Sequence, residues 1–367
     1  MTGGDGAATA RSLEIPGPFR LDSGESLPSV TVAYRTWGRL DEDGTNAVLV
    51  CHALTGSPDV AAWWGPLLGE GRALDPSRDF VVCSNVLGSC YGTTGPASRR
   101  PGSAARWGAD FPEITVRDMV RVQAALLDAL GVRRLRLVLG GSLGGMQVLE
   151  WALLFPERVE AIAPMAVSAR HSAWCIGVSA AQRQAIAADP RWNGGRYDEA
   201  DPPAAGLAAA RAIAMLSYRS RESLEARFGR ARNDGVYSVE SWLRHHGRAL
   251  VDRFDANAYV TLTLAMDTHD VGRGRGGWRE ALAPVRVPAL VVAIDSDVLY
   301  PPVEPQELAE ALPFGRLATL RSPHGHDAFL IEAEAVNALV AEFREETAAE
   351  LGTAQAPSGR EEASWAC

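Results

Sequence analysis

The chain has 367 residues, 47% hydrophobic and 22% charged, an ordinary globular composition with apolar material for one large domain carrying an insertion, or for two domains. Its formal net charge of −9, from 36 Lys+Arg against 45 Asp+Glu, argues against broad nucleic-acid binding and leaves room for a local basic pocket. No apolar run reaches the roughly 18 residues of a membrane span, Met1 to Ala10 lack the charged start and apolar run of a signal peptide, and the five cysteines show no metal-type spacing, so free thiols in a reducing cytoplasm are expected.

Residues 1–46 carry turn formers and short alternating runs such as Val30 to Tyr34, which predict antiparallel edge strands. Ala47 to Cys51 and Phe80 to Cys83 are continuous apolar runs, expected for strands buried on both faces. Val116 to Leu130 has helical spacing and is closed by Gly131. Leu135 to Leu139 is a third strand. A glycine turn then leads into a helix over Met146 to Phe155, stopped by Pro156, and Val159 to Met165 is the next strand. This alternation predicts a mostly parallel, doubly wound sheet, with a first core part over 12–167. From 168 to 280 the pattern turns helical, as in Ala204 to Tyr218 and Ser238 to Val251, with no clear strand. Strands return at Ala289 to Ile294 and Leu317 to Leu320, and a last helix is expected over Glu332 to Glu346, which gives a second core part over 281–348. The Gly/Ala/Gln/Pro/Ser/Glu composition of 349–367 predicts a disordered tail.

The sharpest local signal is Gly140-Gly141-Ser142-Leu143-Gly144, a G-x-S-x-G between a strand and a helix. Such a turn holds a serine nucleophile at its apex, and small flanking residues avoid a clash with the sheet. The helix N-terminus behind it favours developing negative charge. Together these features predict an α/β-hydrolase fold with a helical lid insertion. A serine hydroxyl needs a base, oriented in turn by a carboxylate, and this fold places them in the order Ser, acid, His. His324 and His326 both follow the last expected strand, and His326 is preferred because Gly325 frees the backbone before it. Asp295 and Asp297 both follow the strand Ala289 to Ile294. Asp297 is preferred as the acid, and Asp295 is read as a loop hydrogen-bonder. The N–H of Leu143 is the expected first oxyanion donor, and Leu54, in His52 to Gly56 after an early core strand, the expected second.

Weaker features are the Gly/Thr loop from Asn85 to Pro96, Trp63-Trp64 as core or pocket, and Val271-Gly272-Arg273-Gly274-Arg275-Gly276 as a phosphate site or a solvated turn. No H-E-x-x-H or C-x-x-C metal pattern is present, and no permanently bound cofactor is expected.

Taken together, several motifs resemble the homoserine O-acetyltransferase family. They are His52 to Gly56, Asn85 to Pro96, Phe111 to Val120, Gly140 to Gln147, Gln182 to Ile186, Asp297 to Pro302 and Gly325 to Leu330, in this order over residues 12 to 348. The resemblance implies a Ser142 acyl-enzyme formed from acetyl-CoA as co-substrate and passed to the hydroxyl of L-homoserine in methionine biosynthesis, with Asp297 as acid and His326 as base. It further implies that Arg211, with Tyr218 nearby, holds the homoserine carboxylate, and that Asp327 holds the amino group. A homodimer and a lid covering the tunnel for the pantetheine arm are implied as well. Two places depart from the family's usual pattern: Leu143 stands where the family has Met, and Ser57 to Ala62 replace its Asp, His and Val-Ala-Gly. Succinyl-CoA as donor, serine as acceptor, or an esterase on the same fold are the competing readings.

Overall fold

A computed structural model describes residues 10–354. Two long strands come first, β1 (Arg11–Arg20) and β2 (Ser26–Trp37), paired antiparallel as the alternating runs predict. Then follow β3 (Ala47–Cys51), a short α1 (Val60–Trp64), β4 (Phe80–Ser84), α2 (Val116–Ala129), β5 (Leu135–Gly141), α3 (Leu143–Leu154) and β6 (Ile162–Met165). The next segment is helical: α4 (Ala173–Ala187), α5 (Ala204–Tyr218), α6 (Arg221–Phe228), α7 (Ser238–Val251), α8 (Ala256–Asp267) and α9 (Trp278–Leu282). The chain closes with β9 (Ala289–Ile294), α10 (Val303–Ala311), β10 (Gly315–Leu320), α11 (Ala328–Ile331) and α12 (Ala333–Ala354). Between α6 and α7 lies a small hairpin that the helical reading missed, β7 (Arg232–Asn233) with β8 (Val236–Tyr237). Its turn is Asp234-Gly235, both at positive φ, the dipeptide that suits a two-residue hairpin. The last helix also runs beyond the expected core boundary at residue 348, to Ala354. The remainder of the expected tail, 355–367, lies outside the described residues.

Eight strands form one sheet in the order β1-β2-β4-β3-β5-β6-β9-β10. The neighbours from β4 to β10 all pair in parallel, while β2 runs antiparallel to both β1 and β4. Alternation explains why the central runs are apolar throughout. In β3, Ala47, Leu49 and Cys51 enter the core on one face of the sheet, and Val48 and Val50 enter the core on the other. At roughly 25 cal/mol per Å² of apolar area buried, a strand covered on both sides gains with every residue. Trp64 is fully buried on the second face, where its Nε1–H donates to the Phe329 carbonyl at 2.8 Å; Trp63 stacks on it.

Two features fix the helices α2 and α3 on either side of the strand that leads to the G-x-S-x-G turn. At the start of α2, the Thr115 side chain accepts from the Asp118 N–H and the Asp118 carboxylate accepts from the Thr115 N–H, which satisfies two orphan donors. On α3, the Glu150 side chain is nearly fully buried and accepts from Arg117 at 3.1 Å and from Arg275 at 3.0 and 2.8 Å. Arg273 pairs with Asp22 at 2.6 Å. The two arginines between glycines are therefore ion partners of acidic side chains, Arg275 partly buried on Glu150 and Arg273 exposed in a solvated turn. Replacing Glu150 with alanine leaves two partly buried guanidinium groups uncompensated. Denaturant unfolding of Glu150→Ala should show a loss of about 3–5 kcal/mol; a loss below about 1 kcal/mol would mean the arginines find water instead.

Candidate active site

The ends of the parallel strands bring the site together. Ser142 follows β5, His52 to Gly56 follow β3, Asp297 follows β9 and His326 follows β10, all at the carboxyl edge where open α/β sheets bind ligands. Ser142 has φ 58° and ψ −124°, a backbone region that side chains rarely adopt and that costs on the order of 1–3 kcal/mol. The turn is held by the Ser142 N–H donating to the Met165 carbonyl and by the Met146 N–H donating to the Ser142 carbonyl, both at 3.0 Å. The glycines answer to close packing: a Cβ on Gly140 would lie 2.4 Å from the Cys51 carbonyl oxygen, and one on Gly144 only 2.1 Å from the same atom. The helix begins directly at Leu143, three residues earlier than its apolar spacing indicates.

Asp297 is buried and its carboxylate is fully engaged. Oδ1 accepts from the N–H groups of Leu299 at 2.8 Å and Tyr300 at 3.0 Å, and Oδ2 accepts from His326 Nδ1–H at 2.7 Å. His326 Nε2 is buried and has no hydrogen-bond partner among the described residues. The imidazole lies among three aromatic rings, with centroids at 5.6 Å from Tyr218, 5.4 Å from Tyr300 and 5.7 Å from Phe329. Phe329 also packs against Gly141, beside the serine. Burial alone would push the His326 pKa down. The charge and hydrogen bond of Asp297, then the charge of Asp327, outweigh it and raise the imidazole above its ordinary 6.5.

The alternatives of the sequence separate cleanly. His324 faces Ser223 Oγ at 3.1 Å and Glu332, away from Asp297. Asp295 accepts from the Ser322 N–H at 3.0 Å, a loop contact. The four histidines of the helical segment lie elsewhere: His171 Nδ1 is hydrogen-bonded to the Tyr300 hydroxyl at 3.0 Å, His269 Nε2 to the Ser168 carbonyl at 3.1 Å, His246 packs on Trp242 and His245 is exposed.

Leu143 and Leu54 are both buried. The peptide joining Ala53 to Leu54 is held by its carbonyl, which accepts from His52 Nδ1–H at 2.8 Å and from the Gly56 N–H at 2.9 Å. His52 Nε2 in turn accepts from the Val86 N–H at 3.1 Å. The first turn of α3 is tied to this loop by Gln147, whose Nε2 donates to the Leu143 carbonyl at 3.0 Å and the His52 carbonyl at 3.3 Å.

Arg211 lies on α5 with its guanidinium carbon 5.6 Å from the Tyr218 ring centre. Asp327, next to His326, sits 3.3 Å from the guanidinium of Arg219. Burial pushes the Asp327 carboxyl up, and the charges of Arg219, His326 and Arg211 pull it part of the way back. Arg211, Tyr218, His326 and Asp327 thus form one chain of neighbours. Sequence reasoning missed Arg219, Tyr300 and His52 as parts of this site. Tyr300 lies in the Asp297 to Pro302 motif, whereas no local signal points to Arg219. Among the described residues no group of acidic, histidine or cysteine side chains could hold a metal ion.

Comparison with known proteins adds to this geometry. A family model described as alpha/beta hydrolase fold matches residues 46–333. Homoserine O-acetyltransferase of Trichormus variabilis is 59% identical over 334 residues, covering 90% of this chain and 92% of that protein. The corresponding enzyme of Chloroherpeton thalassium is 56% identical, covering 90% and 87%. Among solved structures, homoserine O-acetyltransferase from Bacillus anthracis superposes with a TM-score of 0.85 at 25% identity, over 91% of this chain and 97% of that one. An acetylester hydrolase from Corynebacterium glutamicum gives 0.83 at 26% identity, over 92% and 96%.

Proposed function

Because the chain belongs to the homoserine O-acetyltransferase family, on the α/β-hydrolase fold, we propose that Ser142, His326 and Asp297 carry its two half-reactions, with acetyl-CoA as the donor. The protein moves an acetyl group to the hydroxyl of homoserine, a step of methionine biosynthesis. In the first half-reaction His326 Nε2 takes the Ser142 hydroxyl proton as Oγ attacks the thioester carbonyl. The N–H groups of Leu143 and Leu54 stabilise the oxyanion, each donor contributing about 3 kcal/mol. The thiolate of CoA leaves with the proton from His326. In the second half-reaction the homoserine hydroxyl gives its proton to His326, its oxygen attacks the acyl carbonyl, and Ser142 Oγ leaves and takes the proton back. Arg211, with Tyr218 beside it, meets the acceptor carboxylate and Asp327 meets its amino group, a cation and an anion for a zwitterion. The helical segment acts as the lid that keeps water from the acyl-enzyme. A homodimer and a cytoplasmic setting belong to the same reading and rest on the family likeness.

The observation that carries this reading is the engaged Asp297–His326 pair, linked through Phe329 to the turn that holds Ser142 at φ 58°. Intact-mass measurement after mixing with acetyl-CoA alone should show one added acetyl group that homoserine then removes; an unchanged mass would rule the covalent route out.

The pH dependence has a definite sign. A base must be neutral, and Asp297 raises the His326 pKa. Acylation should therefore increase with pH and level off above an inflection higher than 6.5. Replacing Asp297 with asparagine removes the charge that raises the imidazole, so the inflection of the residual activity should move to lower pH. An inflection that stays where it was would show that another group sets it.

A further inference from the structure

We infer that Arg219 is a positioning residue for the acyl acceptor, holding and aiming the Asp327 carboxylate for the acceptor's amino group. The inference rests on the proposed role of Asp327. Arg219 joins two helices: it ends α5 in an extended conformation, and Ser220 beside it caps α6 by accepting from the Ser223 N–H at 3.0 Å. The Ser220 hydroxyl also donates to the Pro323 carbonyl, and a Cβ on Gly325 would lie 2.6 Å from the Ser220 N. The segment is thus seated directly on the loop that carries His326 and Asp327.

The contact itself leaves capacity for a ligand. Arg219 Nε lies 3.3 Å from Asp327 Oδ2 without hydrogen-bond alignment, and it is buried with no hydrogen-bond partner among the described residues. Charge balance points the same way. Asp327 feels the charges of Arg219, His326 and Arg211 and the like charge of Asp297. A zwitterionic acceptor enters this set without changing its net charge. Without Arg219, the partly buried carboxylate at Asp327 gains protons more readily, since burial and Asp297 both push it up and only His326 and Arg211 remain to hold it down. A protonated Asp327 no longer pairs with an ammonium group.

The two half-reactions separate this role from a structural one. In Arg219→Gln the burst of CoA released from acetyl-CoA alone should stay within about threefold of the parent, while the KM for homoserine at neutral pH rises about tenfold or more, as loss of one charged recognition contact implies. That KM should fall again as the pH is raised, over a range that lies higher than in the parent, and Arg219→Lys should recover most of the affinity. An unchanged homoserine KM and pH profile in Arg219→Gln overturns the inference, and so does a burst lost together with acceptor transfer. Asp327→Asn marks which reading has failed. If it leaves the homoserine KM unchanged, the proposed role of Asp327 falls and Arg219 with it; if it raises KM while Arg219→Gln does not, only the role of Arg219 falls.

Discussion

Alanine at position 142 removes acetyl transfer, with kcat expected to drop about a million-fold, because no other group at the turn can form the acyl bond. Ser142 is buried and supplies the hydroxyl at the apex of the turn, and no side-chain cap is lost from α3 when that hydroxyl goes. The backbone contacts that hold the turn, to Met165 and from Met146, do not involve it. The variant should therefore keep the fold and stability of the parent within about 1 kcal/mol, as usual for a change that removes no packing. Steady-state CoA release measures the effect, with circular dichroism as the control for folding. Turnover above about one per cent of the parent in a folded variant would mean that the acceptor attacks acetyl-CoA directly.

Asp297→Asn should lower kcat about ten-thousand-fold, or about 5.4 kcal/mol of barrier, with little change in structure. The reason lies in the division of labour between the two carboxylate oxygens. Oδ1 is held by the N–H groups of Leu299 and Tyr300, and the amide oxygen of asparagine can take over that place. The amide nitrogen then faces His326 Nδ1, which the carboxylate oxygen now meets at 2.7 Å. Two donors cannot share that contact, so the imidazole turns to the tautomer with hydrogen on Nε2. That nitrogen can no longer take the serine proton. A single-turnover acylation measurement isolates the step, and a loss below about tenfold would show that His326 is oriented mainly by the rings of Tyr218, Tyr300 and Phe329.

Most of the scaffold was legible because burial on two faces and helical spacing are local properties. The runs Ala47–Cys51 and Ala289–Ile294, and the helices Ala204–Tyr218 and Ser238–Val251, form where the apolar pattern puts them. Pattern failed where one contact overrides propensity. Gly144 and Gly145 look like a turn, yet they form the first turn of α3, since the close approach to the Cys51 carbonyl admits no side chain at Gly144. The hairpin at Asp234-Gly235 has only two residues in each strand, too few to show alternation.

The site divides in the same way. Ser142, Asp297 and His326 follow strands in a fixed order, so their neighbourhood could be read from the chain. The partners of Arg273, Arg275 and Arg219 lie far away in sequence, on Asp22, Glu150 and Asp327, and spacing carries no information about them.

Free CoA release from acetyl-CoA, measured with homoserine, with serine and with no acceptor, separates a transferase from a hydrolase. We expect a stoichiometric burst without acceptor and sustained release only when homoserine is present. Sustained release without any acceptor would contradict the account and make the protein an acyl-CoA hydrolase on this fold.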